Sequence, residues 1–400
     1  MYFQSAAALG GRINNATLAQ SPARCASCIY YIQMRSAYKS YITIVFLGLF
    51  NFTFAQQKNY LAINLKVDSF VNLQMTQKGI AGLSLAVMNE GKIIHSKGFG
   101  YANLEHKVPV TTNTVFLMAS VTKTFVAVAT MMLVEKGSIS LTDTIGKFVH
   151  DIPSHWKVVT IQQLLSHTSG IKGSIDWPPP CKTELKYDNF NYTRADVISE
   201  TACLPLSFPP GEKWDYSGRG YYVLGMLIEA VSGKTFENYL KENIFDPLQM
   251  SNTRMINYKT IVPNRATGYQ KENNQFVNKI MPQDPIIEFS DGGLVSTVTD
   301  MAKWDAALYS DKLLKKETLQ LMFTPVKIKD GFAPYGLGFG TTPFQGHKRV
   351  GHLGRIPGFE SAFSRFIDDK ISVIIFLNTE LNSGQLDMAN QIASFYFDSN

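Results

Sequence analysis

The stretch "FLMASVTKTFVAVATMMLVEKG", residues 116–137, sets a serine and a lysine three positions apart, Ser120 and Lys123, at the head of a run with almost no charge before Glu135. A surface helix shows one polar face. This run shows none, so it predicts a buried helix that opens at Ser120 and closes at Gly137, the residue type that commonly ends a helix. Positions three apart share a helix face, which brings the Lys123 amine within reach of the Ser120 hydroxyl. Free N–H groups and the dipole at a helix start favour developing negative charge, and burial in an apolar wall works against the charged form of an amine. The pair therefore reads as a nucleophile with a proton acceptor. The same two residues also suit an N-capping serine and a snorkelling lysine.

Spacing alone does not separate these readings. Ser-x-x-Lys occurs four times, at Ser36/Lys39, Ser120/Lys123, Ser154/Lys157 and Ser169/Lys172, and only Ser120 opens a long apolar helix. Two other stretches bear on the choice. "GEKWDYSGRGYYVLGMLIEAVSG" places Tyr216, Ser217 and Gly218 in a turn just before another helix. "VGHLGRIPGFESAF" places His352, Gly354 and Arg355 on a strand, where glycine at 354 would let a ligand lie against the backbone.

Along the chain, "GLSLAVMNEGKIIHSKGFGYAN" reads as two strands joined at Asn89-Glu90-Gly91. "VTIQQLLSHTSGI" reads as a short helix entering a loop, and residues 172–213 as a long irregular connection of the kind that forms lids or walls. Helices follow around Ser232-Gly233 and in "TVTDMAKWDAALYS". "YGLGFGTT", "KRVGHLGRIPGFESAFSRFID" and "KISVIIFLNTE" look like three successive antiparallel strands before a last helix from about Gly384. Strands at both ends with helices between give an α+β class: a largely antiparallel sheet formed by both termini, flanked by helices, plus a mainly helical lobe at about residues 140–285.

In this order and spacing the three stretches, with "LLSHTSGI", "GYYVLGMLIEAVSG" and "DGGLVSTVTDMAKW", resemble the serine β-lactamase and penicillin-binding-protein superfamily. The likeness is to its class C β-lactamase-like branch of D-aminopeptidases, D-Ala-D-Ala carboxypeptidases and esterases. The resemblance runs from about Gly79 to the end of the chain and implies the β-lactamase-like fold. It implies that Ser120 is the acylated nucleophile, with Lys123 and Tyr216 jointly moving its proton. The oxyanion site would be the N–H groups of Ser120 and Arg355, and His352-Leu353-Gly354 would take the place of the Lys-Thr-Gly strand. Two positions depart from the pattern. Gly218 stands where an asparagine reaches the substrate's acyl amide, and His352 where a lysine supplies fixed charge; an imidazole is mostly neutral at pH 7. The implied activity is a serine hydrolase working through an acyl-serine on a carboxyl ester, a D-amino-acid peptide or a β-lactam, with esters and peptides ranked first. The alternative is a non-hydrolytic penicillin-binding cell-wall binder or β-lactam sensor. No cofactor and no metal are expected.

The front of the chain is read apart from this domain, which is assigned to residues 56–400. "MYFQS" resembles the scar of a protease recognition site, and residues 1–33 form an unassigned leader. In residues 34–55 a basic start (Arg35, Lys39), an apolar run from Ile42 to Phe52 and a small-residue end at Ala55 follow the grammar of a secretory signal. The run is short for a membrane span, which takes about twenty apolar residues, so a secreted or periplasmic protein without a stable span is expected. Without residues 1–55 the chain holds 34 basic and 32 acidic residues, a net of +2, which gives no reason to expect a nucleic-acid partner. Cys25 and Cys28 fall in the leader; Cys181 and Cys203 either pair as a disulfide, as export permits, or stay as two thiols.

Overall fold

The computed structural model describes residues 60–173, 181, 193–257, 259–279, 289–381 and 384–397. The leader and the signal-like segment lie outside them. The described chain opens with helix α1 (60–78) and the hairpin β1 (Gly82–Asn89) and β2 (Lys92–Asn103), followed by the two-residue strand β3 (Val108–Pro109). Helices α2 (Thr122–Glu135), α3 (Gly218–Ser232) and α4 (Val298–Ala307) come next, with shorter helical turns between them. The chain then returns to the sheet with β4 (Arg349–Ile356), β5 (Phe359–Phe366) and β6 (Ile371–Leu377), and ends in α5 (Gln385–Ser394).

One antiparallel sheet joins the two ends of the domain in the order β4-β5-β6-β1-β2-β3. β6, "ISVIIFL", is apolar at nearly every position because both faces of the sheet are covered. Ile371, Val373, Ile375 and Leu377 pack under the terminal helices with Ile63, Val67 and Val71 of α1 and Met388 and Ile392 of α5. Ile374 and Phe376 join the larger core around α2 and α3. Each fully buried aliphatic or aromatic side chain contributes about 1.5–3 kcal/mol. α2 is the centre of that core, with Thr122 through Met131 and Leu133 buried. No helix of the described residues is long and apolar enough to cross a membrane.

Two stretches differ from the sequence reading. "KRVGHLGRIPGFESAFSRFID" is two strands, β4 and β5, turning at Pro357-Gly358 with Gly358 at φ 80°. "YGLGFGTT" is a tight loop fixed by bridges Tyr335–Gly340 and Gly340–Gly351. Its glycines serve packing: Gly338 has φ 89°, and a Cβ there would stand 2.1 Å from the Ala127 Cβ on α2. Cys181 and Cys203 form a disulfide, Cα–Cα 5.5 Å.

Candidate active site

The helix does not begin at Ser120 itself. Phe116–Leu117 pairs with Leu294–Ser296, and the chain then bends through Ala119, φ 48°, into the 3-10 turn Ala119–Val121 that precedes α2. A left-handed non-glycine residue costs about 1–3 kcal/mol and persists where its surroundings over-determine it. Here the Met118 carbonyl accepts a 2.7 Å hydrogen bond from the buried Ser361 hydroxyl of β5. β4 presses on the same bend: a Cβ on Gly354 would meet the Met118 carbonyl oxygen at 2.2 Å and Ser361 Oγ at 2.3 Å. Glycine at 354 therefore serves the approach of strand to turn, and it also lines the cleft beside Ser120.

Lys123 is 1% exposed. Its Nζ donates to Ser120 Oγ at 3.0 Å and to the Asp291 carbonyl at 2.5 Å. It also lies 5.1 Å from the centroid of the Tyr216 ring and 5.6 Å from that of Tyr221, within cation–π range. The Asp291 carboxyl is pushed up by burial against the opposing pull of Lys123 and Arg219.

Tyr216 arrives from the loop before α3. That loop is zipped to residues 167–170 by Ser207 N–H to Gly170 O, Gly211 N–H to Thr168 O and Asp215 N–H to His167 O, at 2.8, 2.8 and 3.0 Å. Ser217 then caps α3, its Oγ accepting from the Gly220 N–H at 3.1 Å. Gly218 has no positive φ, and a Cβ there would meet Asp291 Oδ2 at 3.2 Å. The expected substrate-side residues Ser217 and Gly218 are thus a helix cap and a close neighbour of Asp291.

His167, in "LLSHTSGI", was assigned no role from sequence. It is fully buried, at φ 58°, with its ring centroid 4.3 Å from Tyr216, 4.9 Å from Tyr221 and 4.6 Å from Tyr335. The Ser217 N–H donates to its Nδ1 at 3.0 Å, which leaves the proton of the neutral ring on Nε2. Burial, then Lys123, holds this imidazole well below the ordinary histidine range. The polar cluster Ser-His-Thr-Ser-Gly after a short helix was the available signal, but its partners lie about fifty residues on.

His352 is 8% exposed, and its Nδ1–H donates to the Leu353 carbonyl at 2.6 Å. Burial, then Lys123, pushes its pKa down to about 3. Both imidazoles are therefore neutral at pH 7. Ser120, Tyr216, His352, Gly354 and Arg355 line one cleft of about 570 Å³, together with Trp214, Tyr335 and Arg349, three residues not singled out from sequence. Ser217 and Gly218 are not part of the described lining. β4 is an edge strand: it pairs with β5 on one side, while Gly351 exchanges hydrogen bonds with Gly340 on the other. Backbone groups alternate sides along a strand, so the N–H groups of Leu353 and Arg355 face the same open edge as that of Gly351.

Comparison with known proteins bears on the family and the fold. PbpX of Bacillus subtilis (strain 168) is 31% identical over 333 residues, covering 82% of this chain and 77% of that protein. The octameric penicillin-binding protein homologue from Pyrococcus abyssi superposes with a TM-score of 0.70 at 30% identity, covering 84% of this chain and 77% of that one. The D-amino acid amidase from Ochrobactrum anthropi SV3, with TM-score 0.71 and 24% identity over 86% of this chain and 99% of its own, shares the fold. With the Beta-lactamase family profile matching residues 67–395, the chain belongs to the Beta-lactamase family.

Proposed function

We propose that the protein is an exported serine hydrolase acting through an acyl-serine on a carboxyl ester, a D-amino-acid peptide or amide, or a β-lactam. One observation carries the reading: a buried lysine Nζ stands 3.0 Å from Ser120 Oγ at a cleft on an open strand edge. Ser120 Oγ attacks the carbonyl carbon while its proton passes to whichever member of the Lys123/Tyr216 pair is in its basic form, an amine or a phenolate. The oxyanion is met by the N–H groups of Ser120 and Arg355, a preorganised contribution that is usually the largest single one in acyl transfer. The tetrahedral centre collapses, the bond to the leaving oxygen or nitrogen breaks, and the stored proton goes to that atom. Water then attacks the acyl-serine, releasing the acid and restoring the hydroxyl. A neutral His352 and the absent side chain at Gly218 favour esters and peptides over β-lactams. The three-part pattern of residues 34–55 supports export.

Intact-mass spectrometry after treatment with a fluorophosphonate or a penicillin tests the assignment. A mass shift is expected in wild type and not in Ser120→Ala, and an unshifted mass with every such reagent refutes it. Decay of the acyl adduct formed from an activated ester distinguishes turnover from the stalled acylation of a sensor.

A further inference from the structure

Arg349 opens β4 and is 8% exposed, yet no carboxylate among the described residues pairs with it. Its Nε donates to the Thr342 carbonyl at 3.0 Å. Burial works against its charge. Buried charges in proteins are ordinarily paired, because removing an ion from water costs several kcal/mol unless a counter-charge meets it. Among the described residues no counter-charge meets it, and the residue lines the Ser120 cleft. The described lining holds no Asp or Glu, its other arginine is the exposed Arg355, and its one imidazole, His352, is neutral. A cleft of this sign draws anions.

Position along the strand sets the scale. Gly354 touches the Ser120 turn, and Arg349 lies five residues back along the same edge, roughly 17 Å at ~3.4 Å per residue. Allowing for the reach of the side chain, the guanidinium sits about 10 Å or more from the reacting carbonyl, the length of roughly three to five extended residues. We propose that Arg349 anchors a carboxylate carried by the substrate at the end of an extended arm. The position of the reacting carbonyl rests on the acyl-serine reading above; the anion site does not. A guanidinium suits this role because its two terminal nitrogens present parallel donors to a carboxylate.

Binding to the Ser120→Ala protein tests the site without requiring turnover, so its result is separate from that of the mass experiment. The probes are an acetylated tetrapeptide and an ω-carboxy acyl chain of the same length, each as carboxylate and as carboxamide, titrated by calorimetry. An acetylated single amino acid is the short control. A charge-assisted pair of this kind is expected to favour the carboxylate by about 10- to 100-fold. A preference in the peptide, the acyl chain or both identifies which carrier the cleft accepts. The preference should fall to about one in Arg349→Gln, persist in Arg355→Gln, and be weak in the short control. Should Arg349→Gln fail to fold, Arg349→Lys is read instead, and loss of the paired donors should lower the preference at least threefold. No preference with either carrier, an unchanged preference after substitution at 349, loss only on substitution at 355, or full preference in the short control overturns the proposal.

Discussion

Replacing Gly354 by alanine separates two views of the strand beside Ser120. If glycine is there to let a ligand approach, the variant folds normally and only substrate binding suffers. The packing says otherwise, since the added Cβ would stand 2.2 Å from the Met118 carbonyl oxygen, 2.3 Å from Ser361 Oγ and 3.1 Å from the Ala119 Cβ. Overpacking of this kind costs about 1–3 kcal/mol. Displacing Ser361 from the Met118 carbonyl leaves buried polar groups unmet, a further ~1–3 kcal/mol. Partial relaxation lets the two overlap, so the sum is about 2–5 kcal/mol. With an unfolding entropy of about 2.1 cal/mol/K per residue over roughly 340 residues, each kcal/mol moves Tm by ~1.4 °C, so Tm should fall by about 3–7 °C. The strand must also withdraw from the turn by roughly 1 Å, and a misplacement of that size at a reacting centre costs about a hundredfold in rate. Differential scanning calorimetry and kcat on an activated ester measure the two effects. A Tm within about 1 °C of wild type, with kcat within twofold and only KM raised, would falsify the packing account.

Three further outcomes follow from the geometry. Tyr216→Phe should lower kcat by at least about a hundredfold with the fold retained, as loss of an acid–base hydroxyl does; circular dichroism and steady-state kinetics check it, and more than half of wild-type activity would mark the tyrosine as a packing residue. His167→Phe keeps the ring beside Tyr216 but leaves the Ser217 N–H unmet, so it should destabilise by about 1–3 kcal/mol in urea denaturation, whereas His167→Asn, which restores an acceptor near Nδ1, should recover part of that loss. Acid should destabilise the fold through His352: the unfolded chain takes up a proton near pH 6.5 while the folded imidazole resists down to about 3, so stability present above pH 6.5 is lost as pH falls toward 3. At 1.36 kcal/mol per pH unit the loss approaches ~3 kcal/mol by pH 4. His352→Gln should flatten the Tm–pH slope, though not abolish it, because His167 is shifted the same way; an unchanged slope removes His352 from the account.

What the sequence determined by itself is what neighbours in the chain decide. Ser120 and Lys123 are three residues apart, a spacing that a 3-10 or α turn closes onto one face, and the uncharged run after them marks α2 as buried. Gly137 at φ 71° and Gly233 at φ 69° end their helices where the text placed the ends, because a left-handed residue there needs no distant partner. The text of β6 likewise marks a strand, and the structure adds that both its faces are covered. What only the tertiary structure decided involves segments far apart along the chain. The pairing of His167 with Ser217, the seat of Lys123 on the Asp291 carbonyl, and the burial of Arg349 against the Thr342 carbonyl depend on which loops meet. No local period records such meetings; they are fixed by packing many weak contacts at once. The same holds for "YGLGFGTT", whose alternation suggested a strand until the fit of Gly338 against Ala127 took precedence. Gly354 is the sharpest instance: its identity was legible, but its reason, the carbonyl of Met118 some 236 positions earlier, exists only once β4 has docked against the Ser120 turn.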